Sequence, residues 1–166
     1  MPIVLLRVDE RLIHGQVVVG WGNSLHPDRI VVVDDELADS AWERELYLLG
    51  LPPGIEAEFD HVLDARTRMT DWRQGADRIL LLTRDVATMA RLAEDGGLRG
   101  EEINLGGIHF APGRQPVLSY LYLNEQERQD VARIAESGAH VTARDLPGAR
   151  RVGVEELLGR RGERRA

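Results

Sequence analysis

Short β-branched runs alternate along this chain with segments of helical spacing, and Gly, Pro or Asp stands between them. That alternation constrains the fold most. Ile3–Val8 is apolar apart from Arg7 and stops at Asp9, the pattern of a strand buried on both faces. Arg29–Asp34 and Arg78–Thr83 repeat it, Ala57–Val62 repeats it more weakly, and Glu102–Leu105 and His140–Ala143 complete a set of five to seven strands. The intervening helices carry their own start and stop signals. Ser40-Ala41-Trp42-Glu43 reads as a capping box, with Trp42, Leu46 and Leu49 on one face and Gly50-Leu51-Pro52-Pro53 as the stop. Asp85 opens Val86–Glu94, and Asn124–Glu127 opens a helix that closes at Gly138. Residues 62–73 are a further helical segment, and Ala111-Pro112-Gly113-Arg114 suggests a hairpin. Strand–helix–strand order at this spacing predicts an α/β fold: a mostly parallel central sheet, helices on both faces and one antiparallel edge hairpin.

Composition narrows the chemistry. With 166 residues the chain is one domain, and 43% hydrophobic and 30% charged residues suit a packed globule. The apolar runs reach four residues, against about 20 for a membrane-spanning helix. The segment Met1–Arg7 lacks the basic flank and cleavage site of a secretory leader, so a cytoplasmic address is expected. No cysteine is present, which excludes disulfides, thiolate metal sites and a Cys nucleophile. All 21 basic residues are arginine, which excludes Walker-type and Schiff-base lysine chemistry. The net charge is −7 although the tail after residue 158 is arginine-rich, so the body is a poor partner for nucleic acid. We expect a domain over residues 1–158 and a basic, disordered tail over 159–166.

In parallel α/β sheets ligands bind beyond the C-terminal strand ends. The residues to inspect are therefore Asp9–Gln16, Asp34-Asp35, Thr83–Asp85 and Gly106–His109. The first stretch reads Asp9-Glu10-Arg11-Leu12-Ile13-His14-Gly15-Gln16. A neutral imidazole is a good nucleophile toward phosphorus. An arginine three residues before it can fold back onto phosphate oxygens. Gly15 leaves room for a ligand, and a helix starting there would add free N–H groups from Ile13, Gly15, Gln16 and their neighbours. Asp9 or Glu10 can hold the second ring nitrogen as N–H. By residue type alone a solvated or hydrogen-bonded loop histidine is the leading reading of His14, ahead of a metal ligand and of a phosphoryl carrier. One local feature opposes a helix: Gln16–Gly22 (QVVVGWG) has the propensity of a strand.

The run Arg7-Val8-Asp9-Glu10-Arg11-Leu12-Ile13-His14-Gly15-Gln16-Val17, followed by Trp21, resembles the signature of the IIB component of the mannose/fructose/sorbose family of the bacterial phosphoenolpyruvate:sugar phosphotransferase system (PTS). Val32-Val33-Asp34-Asp35, Asn104-Leu105-Gly106-Gly107-Ile108-His109-Phe110 and Val154–Leu158 resemble further elements of that family in the same order. The resemblance implies that His14 takes a phosphoryl group from a histidine of the IIA component, through ring Nδ1. It then gives the group to a sugar carried by the IIC and IID membrane components, to which this protein would be peripherally attached. It also implies a phosphate-clamping role for Arg11. Asp9, Ile13, Gly15, Gln16, Asp35 and His109 are expected to line the phosphate and substrate site. No metal or other cofactor is expected, although His14, His109 and Asp35 would make a metal triad on paper. The competing role is a regulatory phosphoprotein without sugar transport. A nucleotide-binding module lacks its GxGxxG or Walker A sequence. His26, His61 and His140 have no clustered partners, and Trp21, Trp42 and Trp72 read as core or helix-packing residues.

Overall fold

The computed structural model describes residues 2–159, and the expected disordered tail from 160 onward lies outside the described residues. Seven strands form one sheet: β1 (Ile3–Val8), β2 (Arg29–Val33), β3 (Glu56–Asp60), β4 (Ile79–Thr83), β5 (Glu102–Leu105), β8 (His140–Ala143) and β9 (Val152–Gly153). Their order is β3-β2-β4-β1-β5-β8-β9, all parallel except β9, which runs antiparallel to β8 at the edge. The remaining two strands, β6 (Gln115–Leu118) and β7 (Leu121–Leu123), form a separate antiparallel hairpin. The expected edge hairpin is thus two features. Ala111–Arg114 is a turn before β6, and the hairpin reverses at Ser119-Tyr120. It joins the body through Ile108, whose backbone bonds Tyr120 and Tyr122.

Alternation along the strands divides the core in two. Leu6, Val8, Val31, Val33, Leu81 and Leu105 face one side. There they meet α4 (Val62–Gln74), α5 (Val86–Ala93), α6 (Glu125–Glu136) and α7 (Val154–Leu158). Ile30, Val32, Leu80 and Leu82 face the other, under Leu12, Ile13, Val17, Trp21 and Leu37. That second cover is built from the loop after β1, a π-helical turn Gln16–Trp21 running into α1 (Gly22–Leu25), and the short α2 (Asp35–Ala38). The strand propensity of Gln16–Gly22 therefore yields to topology. A chain leaving a central strand must cross a sheet face to reach β2, and helical winding lets Val17 and Trp21 both reach the core while satisfying the backbone.

The caps behave as the sequence implies in two of three cases. Asp85 accepts from Thr88 N, and Asn124 and Glu127 form a reciprocal box. Ser40 precedes α3 (Ala41–Leu48) without a side-chain cap bond. The expected packing face of that helix is also reversed: Trp42 is 66% exposed and Leu49 83%. Tyr47 packs against the core cluster instead, as do Leu51 and Ile55 beyond the helix. Trp21 and Trp72 are buried, as expected.

The strand ends matter most for function. Val8 is in register with Thr83 and Leu105, Val33 with Thr83, and Ala143 with Leu105. One row therefore terminates five strands, and Asp9, Asp34, Arg84, Gly106 and Arg144 follow it directly.

Candidate active site at the carboxyl ends of the strands

Chain reversal after β1 builds the site. Asp9 N donates to Thr83 O and Glu10 N to Gly107 O, which pins the loop to both neighbouring strands. Leu12 N then closes a turn onto Asp9 O. Leu12 takes φ +56°, a left-handed conformation costing roughly 1–2 kcal/mol for a non-glycine residue. Its side chain is fully buried, and that burial holds the loop against the strain. The turn aims Ile13 into the core and leaves His14 at the rim, 16% exposed, where its carbonyl accepts from Val18 N to start the helix. Gly15 has ordinary helical angles and no atom within 4 Å of where a Cβ would stand. Its contribution is open space beside the imidazole.

Asp9 organises the cluster. Its fully buried carboxylate accepts from Arg7 Nη2 at 3.0 Å, from Arg11 N and Nε at 3.1 Å, from Arg11 Nη2 at 3.2 Å and from Gly107 N at 3.3 Å. His14 Nε2 lies 3.3 Å from Asp9 Oδ2, although the approach falls short of hydrogen-bond geometry. Burial works to raise the Asp9 carboxyl; contact with His14 and Arg11 and the charge of Arg7 overcome it and hold the group well below the usual carboxylate range. On the opposite ring edge, Gln16 N donates to His14 Nδ1 at 3.3 Å. A nitrogen that accepts from an amide carries the lone pair, so the proton belongs on Nε2, facing the carboxylate. The arrangement leaves the Nδ1 lone pair at a helix start where backbone N–H groups gather.

Arg11 is held by Asp9 and by Gln16 Oε1 at 2.7 Å; its Nη1 enters neither bond. Gly107 makes space for it, since a Cβ there would sit 2.8 Å from Arg11 Nη2. Asp9, Arg11, His14, Gly15 and Gln16 thus come together, and Ile13 joins them as a buried anchor. His109 is 55% exposed and reaches the loop indirectly. Its backbone N donates to Glu10 Oε1 at 3.1 Å and its Nδ1 lies 3.7 Å from Glu10 Oε2, while Arg114 ties Glu10 to Glu127 on α6. Asp35 is engaged elsewhere: it accepts from Val62 N at 2.9 Å and pairs with Arg91 at 2.8 Å. Asp34 caps α2 at Leu37 N and pairs with Arg84, so neither acid orients Arg11. The paper triad of His14, His109 and Asp35 does not form; among the described residues no group of three or more metal-ligating acids and histidines is assembled.

Three features escape a reading by residue type. Arg7 is wholly buried under the site, Asn104 and the carbonyls of Arg144 and Asp145 receive its guanidinium, and Gly106 makes the space for it. Arg7 interrupts an apolar strand, and that lone charge is the signal that could have exposed it.

The family described as "PTS system sorbose subfamily IIB component" matches residues 3–166, nearly the whole chain. The chain belongs to this family. Among its relatives is the "N-acetylgalactosamine-specific phosphotransferase enzyme IIB component 2" of Escherichia coli, 32% identical over 162 residues, covering 95% of this chain and all of that protein. The solved "PTS system N-acetylgalactosamine-specific IIB component 1" of Escherichia coli superposes with a TM-score of 0.82 at 29% identity, over 90% of this chain and 97% of that one. The "PTS system mannose-specific EIIAB component" of Escherichia coli is 28% identical over 163 residues; the match covers 96% of this IIB chain and 49% of the relative. As a IIB component the chain is a sugar phosphotransferase of the PTS, taking its phosphoryl group from IIA.

Proposed function

We propose that His14 Nδ1 is the atom that carries the phosphoryl group. The observation that supports this most directly is the opposed pair of contacts on the ring: Gln16 N–H on Nδ1, and the Asp9 carboxylate beside Nε2. In the first step the Nδ1 lone pair attacks phosphorus of a IIA phosphohistidine in line. A new N–P bond forms as the donor's N–P bond breaks, and its electron pair returns to the IIA imidazole. Nε2 keeps its proton, and the cationic ring character that develops is met by Asp9. Gln16 N–H is freed to bind a phosphoryl oxygen, together with the N–H groups of Gly15 and Val17 and with Arg11 Nη1. Phosphoryl transfer is chiefly positioning and charge stabilisation, and these donors supply both.

In the second step a sugar hydroxyl attacks the same phosphorus: an O–P bond forms, the N–P electron pair returns to His14 Nδ1, and the hydroxyl proton passes to solvent. His109 and Glu10, on the neighbouring rim, line the approach. The sugar-linked names of the relatives favour transport over a regulatory phosphoprotein. No described helix is long and apolar enough to cross a membrane. As a IIB component, the domain acts at the cytoplasmic face and docks in turn with IIA and with the IIC/IID permease. No metal enters either step, because arginine and amides carry the compensating charge.

The test is phosphorylation of the full chain by phosphoenolpyruvate, enzyme I, HPr and a mannose-family IIA, followed by intact mass. A gain of one acid-labile phosphoryl group that requires IIA and disappears in His14→Ala supports the assignment. Equal labelling of the variant overturns it.

A further inference from the structure

Arg7 is the penultimate residue of β1, between Leu6 and Val8, and none of its side chain meets solvent. A buried guanidinium is costly unless its charge and its donors are met, and apolar replacements for buried ion pairs are often as stable or more so. The sequence nevertheless surrounds this one with an elaborate set of partners. Nη1 donates to Asn104 Oδ1 and to Arg144 O at 2.9 Å; Nη2 donates to Asp9 Oδ2 at 3.0 Å and to Asp145 O at 3.1 Å. The Trp21 ring lies 5.2 Å from the guanidinium carbon, and Arg144 lies 5.1 Å from the same ring. Trp21 is itself fixed by donating Nε1 to Asp145 O. A side chain at Gly106 would overlap the Arg7 guanidinium outright. Four segments of chain therefore meet on one charge, and the carboxylate that pairs with it is the one beside the phosphoryl acceptor.

The two oxygens of Asp9 divide their work. Oδ1 takes Arg11 N and Nε, which shapes the loop. Oδ2 takes Arg7, Arg11 Nη2 and Gly107 N, and it is the oxygen that faces His14 Nε2. Arg7 approaches from beneath the sheet end, where no solvent competes, and so fixes both the rotation and the ionised state of that oxygen. We infer that Arg7 is a positioning residue for phosphoryl transfer: through Asp9 Oδ2 it keeps the His14 proton on Nε2 and the Nδ1 lone pair facing the donor. This rests on the reading of His14 as the acceptor. It extends the site beneath the loop, to a residue that touches neither phosphoryl donor nor sugar.

A merely structural Arg7 would affect folding; a positioning Arg7 also sets the tautomer of a ring it does not touch. The full chain, labelled with ¹⁵N, is compared with Arg7→Gln, Arg7→Lys, Gly106→Ala and His14→Ala. The imidazole nitrogen shifts are read well above the imidazole titration range, and the His14 signals are assigned by their loss in His14→Ala. The unaltered protein is expected to show the Nε2–H form. Arg7→Gln is expected to shift the signals toward a tautomer mixture and to slow phosphorylation by IIA on the order of ten-fold or more. Arg7→Lys restores part of both. Gly106→Ala keeps the arginine but displaces it, and moves the tautomer in the same direction. An unchanged His14 tautomer in folded Arg7→Gln, or in Gly106→Ala and Arg7→Lys should Arg7→Gln not fold, overturns the inference. Phosphorylation persisting in His14→Ala would overturn the acceptor assignment instead, and the tautomer result is read without any transfer.

Discussion

Asp9→Asn isolates the charge on which the site depends, because the amide keeps the shape of the carboxylate and opens no cavity. In the protein that carboxylate accepts from Arg7, Arg11 and Gly107 N. Whichever way the new amide is turned, its NH₂ faces groups that are donors, and fully buried Arg7 loses its anion. Removing one partner of a buried ion pair costs about 3–5 kcal/mol. For a domain of this size each kcal/mol moves Tm by about 2–4 °C, so the variant should melt about 6–20 °C below the unaltered protein at neutral pH. The pH dependence follows from the depressed Asp9 value. A carboxylate held below its unfolded pKa of about 3.9 stabilises the fold fully above that range, and the contribution is lost as pH falls toward the folded value. The Tm gap should therefore be constant above about pH 5 and narrow as the solution is acidified below about pH 4. Scanning calorimetry across this range is the assay. A gap under about 2 °C at neutral pH, or one that widens with acid, would refute the view that Asp9 neutralises a buried arginine.

Further consequences are as specific. Burial and the neighbouring Glu58 push Asp60 up to about 6 despite Arg68, so its charge costs stability above that pH and nothing below about pH 4. Asp60→Asn should accordingly raise stability at pH 8 by about 1 kcal/mol, a value reduced for its solvent contact, and leave it unchanged in acid, as read by thermal melts. Gly107→Ala places a Cβ 2.8 Å from Arg11 Nη2. It should slow phosphorylation about ten-fold or more while Tm barely moves, because the arginine tip is one-third exposed and can swing away. Trp42→Ser and Leu46→Ser remove side chains that are 66% and 57% exposed, so each should change unfolding free energy by less than about 0.5 kcal/mol in urea titrations.

β1, β2 and β4 were legible because each is a short apolar run closed by a polar residue, while β3 (Glu56–Asp60), with three acids in five residues, is marked only weakly, over 57–62. The loop after β1 was legible because its functional groups crowd one strand end. What the sequence hides has identifiable causes. Gln16–Trp21 has strand propensity, and only the need to cross a sheet face winds it into a helix. On α3 the Trp42, Leu46 and Leu49 spacing is that of a core-facing stripe, yet Tyr47 and the residues after the helix occupy the available core surface. Asp35 sits at a strand end as a site residue should, but its strand lies two places from β1, and Arg91 with Val62 N claims it. Arg7 is the reverse case: a charge in a buried strand is out of place by sequence until the carbonyls of Arg144 and Asp145, nearly 140 positions away, are brought around it.

The central claim is that Nδ1 of His14 bears the phosphoryl group, and ¹⁵N–³¹P coupling in the IIA-phosphorylated, ¹⁵N-labelled protein tests it most directly. Coupling from phosphorus to Nδ1 of the His14 ring, with Nε2 still bearing its proton beside Asp9, is the predicted result. Coupling to Nε2, or to a ring that survives in His14→Ala, would contradict it.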